Sequence, residues 1–262
     1  MKKSLELSVH QLVDFLLRTG DIDNRVFNRS SMTEGSRLHA IYQAKQGTNY
    51  ISEYPLRQTF VVEDIELTLQ GRADGIIKKS DKEYIIDEIK TTIIDLKEFR
   101  DENLAWHLGQ AKCYAYMFAH ALNLDSIGVK LTYIRQGKES EKLIDNYSYI
   151  TKELENDIYD LIEQYLEFYN VIIRLTEERD ESIKKLEFPF TNFRRGQKEL
   201  TKYVYGAIKN RQKLFIEAPT GIGKTMSCMY PSILYLAEDE RSKVFYLTAK
   251  ATGKELKDTY KT

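Results

Sequence analysis

The stretch from Gly71 to Thr92, GRADGIIKKSDKEYIIDEIKTT, limits the possible folds of this chain more than any other. Two runs rich in β-branched and aromatic residues, Leu67 to Ile77 and Glu83 to Thr91, flank the polar, turn-like Lys78-Lys79-Ser80-Asp81-Lys82. That pattern predicts an antiparallel hairpin. With the turn centred near Ser80 and Asp81, residues whose numbers sum to about 161 or 162 lie opposite one another. Asp74 then faces Glu88. Side chains alternate along a strand, so Glu88 and Lys90 share a face while Ile89 points the other way. Two carboxylates and an ammonium are expected at one spot.

Two carboxylates with room for water suit Mg²⁺ or Mn²⁺, hard ions that take oxygen ligands and leave positions open for a phosphate. A lysine beside them can orient an attacking water while the cation stabilises charge on a phosphodiester. An isolated D…E-x-K triplet is equally the mark of an exposed strand with an ordinary salt bridge, and on spacing alone both readings stand.

Upstream, Gly35-Ser36-Arg37-Leu38-His39 lies in a segment of helical character, Met32 to Ala44, with Ser30 and Ser31 as N-caps. Downstream, Trp106 to Ala121 reads as a helix. His107, Gln110 and Tyr114 fall on one of its faces, at i, i+3 and i+7. Taken in order, G-x-x-x-H, G-R-x-D-G, D-E-x-K and Q-x-x-x-Y resemble the RecB-like nuclease branch of the PD-(D/E)XK superfamily, over Gly35 to Tyr114. The resemblance implies that His39, Asp74 and Glu88 bind a Mg²⁺ or Mn²⁺ ion with the Ile89 carbonyl as a further ligand. It implies that Lys90 is the catalytic lysine and that Gln110 and Tyr114 hold the substrate strand and brace the site. Glu53, in the apolar run Tyr50 to Leu56, reads either as an accessory acid or as a structural residue.

Charge does not announce a partner: 39 basic and 40 acidic residues leave a net charge of −1, so any contact with DNA must come from local patches. The two cysteines, Cys113 and Cys228, are too few for a disulfide framework or a four-cysteine metal site. The iron–sulfur clamp of some RecB-like nucleases is therefore not expected. No apolar run approaches the ~18 residues of a membrane span, and the charged N-terminus does not read as a signal peptide. A soluble cytoplasmic protein is expected.

Leu5 to Leu17 reads as a first amphipathic helix, and Tyr54 to Glu63 and Ile65 to Ile77 as strands. Ser126 to Arg135 and Leu143 to Ile150 read as two more strands about the turn Gln136-Gly137-Lys138, and Thr151 to about Asp180 as a long helix.

Near the C-terminus, Lys213 to Glu217 reads as a short strand, followed by Ala218-Pro219-Thr220-Gly221-Ile222-Gly223-Lys224-Thr225 and a helix to about Leu236. That is the context of a Walker A phosphate loop, with Ala218 where the first glycine usually stands. Glycines let backbone N–H groups approach phosphates, Lys224 reaches the terminal phosphates and Thr225 binds Mg²⁺. Phe188-Pro189-Phe190, Arg194-x-x-Gln197, this loop and a strand Val244 to Leu247 together resemble the opening of XPD/DinG-type superfamily 2 helicases. The resemblance implies that Gln197 recognises adenine and that Thr248 to Lys254 touches single-stranded DNA.

The expected fold class is α/β. A PD-(D/E)XK nuclease core, a mixed central sheet flanked by helices, is expected over 1–150, a long helix and linker over 151–187, and the truncated N-terminal part of a RecA-like P-loop lobe over 188–262. The expected function is metal-dependent hydrolysis of DNA, single-stranded and with exonuclease action favoured. The chain would be the N-terminal part of an ATP-dependent nuclease-helicase in DNA repair or processing, its partners DNA and the remainder of the helicase. Phosphoryl transfer needs a Walker B carboxylate that these residues lack, so the chain alone should hydrolyse no ATP. The competing reading is an inactive DNA-binding platform attached to such a motor.

Overall fold

The computed structural model describes residues 3–19, 29–239 and 243–247. They form two compact units, Met1–Phe168 and Tyr169–Thr262. Among the described residues no helix is long and apolar enough to cross a membrane.

The first unit is a mixed sheet flanked by helices. Its strands are β1 (Lys3–Ser8), β2 (Tyr50–Val62), β3 (Ile65–Lys78), β4 (Tyr84–Thr92), β5 (Ser126–Arg135) and β6 (Lys138–Ile150), in the order β1-β3-β4-β5-β6, with β2 also paired to β3. The helices are α1 (Val9–Leu17), α2 (Arg29–Ala44), α3 (Leu96–Ala121) and α4 (Thr151–Lys184), the last running past the boundary between the units. The hairpin register follows the sequence pattern: Gly75 pairs with Asp87, Ile76 with Ile86, Ile77 with Ile85 and Lys78 with Tyr84.

What positions the site is the way β3 is shared. β2 runs antiparallel along nearly its whole length, from Ile65 to Ile77. The other edge is divided: β1 pairs in parallel with Ile65 to Gln70, and β4 only with Gly75 to Lys78. Between them, among the described residues, Gly71 to Asp74 have no strand on that edge. β4 leaves β3 after Asp87 and continues alongside β5, paired from Ile85 to Thr92. The result is a notch in the middle of the sheet, and one-residue alternation decides what faces it.

One expectation fails at the N-terminus. Leu5 to Ser8 are strand, not the first turns of a helix, because Leu5 and Leu7 alternate inward and pair with Leu67 and Leu69. Ser8 then starts α1 with a capping box: its hydroxyl accepts from the Gln11 N–H, and the Gln11 carboxamide accepts from the Ser8 N–H. Helix α2 begins at Arg29, so Ser30 and Ser31 lie inside it rather than capping it. α3 is also longer than expected, starting at Leu96 on the Asp95 cap. Its C-terminal half is buried around most of its circumference, so it carries no simple stripe. Gly109 is part of the reason, since a Cβ there would lie 2.2 Å from Leu17 Cδ1.

The second unit contains the C-terminal part of α4, α5 (Gln197–Lys209) and α6 (Lys224–Leu236). Neither Lys213 to Glu217 nor Val244 to Leu247 is a strand. Their sequences suit β-structure, but among the described residues neither has a paired neighbour, and Phe215 and Leu247 are 93% and 91% exposed. A lone extended segment has no ladder to complete. Thr248 to Lys254, expected to touch DNA, lie outside the described residues.

Candidate functional site

The notch gathers the predicted residues. Asp74, opposite Glu88 and one step beyond the last paired residues, accepts a hydrogen bond from the Ile89 N–H at 2.8 Å. A side chain thus replaces the ladder bond that β4 gives up as it leaves. Lys90 Nζ donates to Glu88 Oε1 and to Gln110 Oε1, both at 2.8 Å. Gln110 Nε2 lies 3.5 Å from the Tyr114 hydroxyl and 3.3 Å from His10 Nε2. The Tyr114 ring lies over Gly71, where a Cβ would stand 2.7 Å from the ring. The first glycine of G-R-x-D-G is there to admit it. His39 Nδ1 is 3.7 Å from Asp74 Oδ1, close but beyond a hydrogen bond.

These groups line a cavity of about 700 Å³ that also takes in Ser8, His10, Gln43, Glu53 and Arg72. Ile89 does turn away, fully buried in a cluster with Leu38, Tyr42 and Ile134. Sequence patterning missed His10 and Ser8 because the N-terminal stretch read as continuous helix. Arg72 was visible inside G-R-x-D-G but carried no signal of its own. His107 is not part of the cavity lining; it is buried against Phe99, Trp106 and Tyr133, with Nδ1 3.3 Å from the Tyr133 hydroxyl.

Electrostatically the site turns on Glu88. It is 1% exposed, and among the described residues its Oε2 has no hydrogen-bond partner. Burial drives its carboxyl up to about 8; the Lys90 ammonium pulls it down less than burial raises it, and the Asp74 charge adds to the rise. Burial also raises the Tyr114 phenol, with the Glu88 charge next in importance. Among the described residues no three His, Cys, Asp or Glu side chains form a ready-made metal cluster.

In the second unit, residues 218–223 form a loop leading into α6, with Gly221 and Gly223 in the left-handed region at φ 88° and 86°. Lys224 Nζ donates to the carbonyls of Ala218 and Pro219 at 2.8 and 3.0 Å. Gln197, 2% exposed, accepts from the Arg194 N–H at 2.9 Å and donates to the Gly223 carbonyl at 3.4 Å. Arg194 donates to the Gly221 carbonyl. The structure therefore brings Arg194 and Gln197 onto the loop that holds Gly221 and Gly223 and leads into Lys224 at the start of α6. Thr220 is exposed, and Thr225 Oγ1 lies 3.5 Å from the Tyr246 hydroxyl.

No protein-family model matches the chain. A probable ATP-dependent helicase of Methanocaldococcus jannaschii, MJ0942, is 44% identical over 64 residues, 24% of this chain. The chain spans about a tenth of that relative's length, the match covering 10% of it. Among solved structures, the crystal structure of SSO0001 is similar at 20% identity, over 63% of this chain and 78% of that one, with a TM-score of 0.41. An alkaline exonuclease of Laribacter hongkongensis is similar at 10% identity over 66% of this chain and 94% of its own, TM-score 0.36. A phage-related exonuclease from Haemophilus somnus 129PT is similar at 11% identity over 63% and 81%, TM-score 0.35. Likenesses this loose leave the functional argument to the site's own geometry.

Proposed function

We propose that the notch is the active site of a metal-dependent DNA nuclease that hydrolyses phosphodiester bonds, single-stranded DNA being the favoured substrate and exonuclease action the favoured mode. The observation that carries this reading is Glu88: a carboxylate buried to 1% exposure with one oxygen left without a partner, beside Asp74. Such an orphan is costly unless something satisfies it. A divalent cation of the Mg²⁺ or Mn²⁺ kind fits that donor set, with Asp74 and Glu88 as carboxylate ligands, His39 on α2 at the rim and the Ile89 carbonyl as the further ligand. When bound, the cation supplies Lewis-acid stabilisation of charge on the phosphodiester.

The chain's own residues do the positioning. Lys90 spends two of its three N–H donors on Glu88 and Gln110, leaving one for an attacking water or a phosphate oxygen. Gln110 fixes that ammonium from α3, and Tyr114, locked over Gly71, holds Gln110 in turn. For the second unit the reading is a nucleotide-binding loop within a longer ATP-dependent helicase. It is supported by the left-handed glycines before α6, and the longer helicase by the likeness of 24% of the chain to a probable ATP-dependent helicase. Gln197 would recognise the adenine there, with Thr220, Gly221, Gly223, Lys224 and Thr225 around the phosphates and Mg²⁺.

A second reading has one observation in its favour. The lack of a ready-made three-donor cluster among the described residues suits a site that grips DNA without cutting it. Digestion of single-stranded DNA labelled at either end, with Mn²⁺, Mg²⁺ or EDTA and no ATP, separates the two. Cleavage that needs metal and is lost in Lys90→Ala supports the nuclease. Intact DNA in every metal, with the protein folded and DNA bound, supports the inactive platform.

A further inference from the structure

Opposite Asp74, the pairing of β2 with β3 skips one position. Ser52 pairs with Gly75 and Tyr54 with Ala73, but Glu53 and Asp74 do not pair. There the Glu53 backbone takes φ 56°, the left-handed region that a residue with a Cβ enters at a cost of about 1–2 kcal/mol. A side-chain amide fills the gap: Gln43 Nε2, from α2, donates to the Asp74 carbonyl at 2.8 Å and to Glu53 Oε1 at 2.9 Å. The other Glu53 oxygen meets Arg72 Nε at 2.6 Å. A strained backbone is thus kept where it aims a carboxylate at an arginine inside the cavity.

Arg72 and Lys90 are the lysine and arginine residues among the described cavity lining. Lys90 is committed to Glu88 and Gln110 and is 17% exposed, whereas the Arg72 side chain is 67% exposed. On β3, Arg72 is two residues from Asp74 and lines the same cavity. A planar guanidinium there, with N–H donors beyond the one given to Glu53, can present a fork of N–H groups to two oxygens of a tetrahedral phosphate.

We propose that Arg72 grips a backbone phosphate of the bound strand, and that Glu53 is a positioning residue that holds the guanidinium until the phosphate takes its place. The proposal rests on the nuclease reading of the cavity and names the group by which that cavity recognises its substrate. Glu53 and the phosphate compete for the same cation, so the two residues act in opposite directions on DNA binding.

The test is the affinity of the 262-residue chain for a short fluorescein-labelled oligothymidylate, by anisotropy in EDTA across a salt series, with cleavage in Mn²⁺ followed in parallel. Arg72→Gln is expected to weaken binding about tenfold and to make the dependence of log K on log salt shallower by about 0.7, one phosphate contact on a single strand. Glu53→Gln is expected to tighten binding about threefold by removing the competitor for the cation. Loss of a merely structural ion pair moves both variants the same way. Wild-type affinity and slope in Arg72→Gln, or weaker binding in Glu53→Gln, overturns the proposal. If the wild type cuts DNA and Arg72→Gln binds unchanged, the Arg72 assignment alone falls. If the expected shifts appear but nothing is cut, Arg72 stands and the nuclease reading falls.

Discussion

Strand β4 carries two adjacent carboxylates on opposite faces of the sheet, and the protein treats them in opposite ways. Asp87, on the α2 side, is fully buried and accepts from four side chains: Thr132 Oγ1 at 2.7 Å, Tyr42 and Lys130 at 3.2 Å and Tyr50 at 3.3 Å. Glu88, on the α3 side, is nearly as buried and has one oxygen bonded to Lys90 and the other, among the described residues, to nothing. Burial alone therefore does not tell the two apart. Satisfaction does: Asp87 ties α2, β2 and β5 to the sheet, while Glu88 keeps a lone pair in reserve.

Removing Asp87 should have the largest effect on stability. Asp87→Ala leaves the Lys130 ammonium and three hydroxyls facing an empty acceptor, which should cost about 3–5 kcal/mol. Trp106, the single tryptophan and a residue of α3, gives a fluorescence signal confined to the first unit for urea unfolding. A loss under about 1 kcal/mol would mean that the four-donor network is not what holds α2 to the sheet.

His107 extends the comparison to pH. Burial, helped by the Lys90 and His10 charges, lowers its pKa from 6.5 to about 3. The unfolded chain takes up that proton near 6.5 and the folded one does not. Its stabilising contribution is thus complete above pH 6.5 and is lost as pH falls toward 3. Wild-type stability should fall by on the order of a few kcal/mol over that window, and His107→Phe should flatten the fall. An unchanged slope in the variant would assign the acid loss to other groups.

Smaller effects come from the two glycines of G-R-x-D-G, one serving each carboxylate. A Cβ on Gly75 would stand 1.9 Å from the Tyr50 hydroxyl, pushing it off Asp87; a Cβ on Gly71 would displace Tyr114 from the Glu88 side. Each alanine should cost about 1–3 kcal/mol. Gly71→Ala should in addition lower cleavage more than Gly75→Ala does. Equal cleavage in both would erase the division between the faces. Glu88→Gln should change stability least, by under about 1 kcal/mol, because burial already works against the charge that the substitution removes.

The site was legible where local pattern decides geometry. A tight polar turn fixed the register of Asp74 against Glu88, and strand parity put Lys90 beside Glu88 and Ile89 in the core. Parity also chose Glu88 over Asp87 as the lysine's neighbour, two carboxylates that composition cannot tell apart. The unforeseen features depend on distant residues. Asp87 is satisfied by Tyr42 and Lys130, 45 and 43 positions away. The left-handed turn at Glu53 is met by Gln43 of α2, and the burial of the C-terminal half of α3 around most of its circumference follows from what packs on it. β1 reads as helix from sequence because Leu5, four residues before Val9, extends the stripe of Val9, Leu12, Phe15 and Leu16, until Ser8 and its capping box are seen to start the helix. In the second unit the glycine-bearing loop and helix α6 after it were legible, whereas helix α5 was not foreseen and the expected strands were not formed, since strand sequence specifies nothing without a neighbour to pair with.

The central claim is that the unpartnered Glu88 oxygen is the seat of a divalent cation. Calorimetric titration of Mn²⁺ into the wild type, Glu88→Gln and Asp87→Asn at one pH tests it directly. The account predicts Mn²⁺ uptake by the wild type that Glu88→Gln weakens by about a hundredfold or more at unchanged stability, and that folded Asp87→Asn largely retains. Equal Mn²⁺ uptake by the wild type and Glu88→Gln, or none by either, would contradict it.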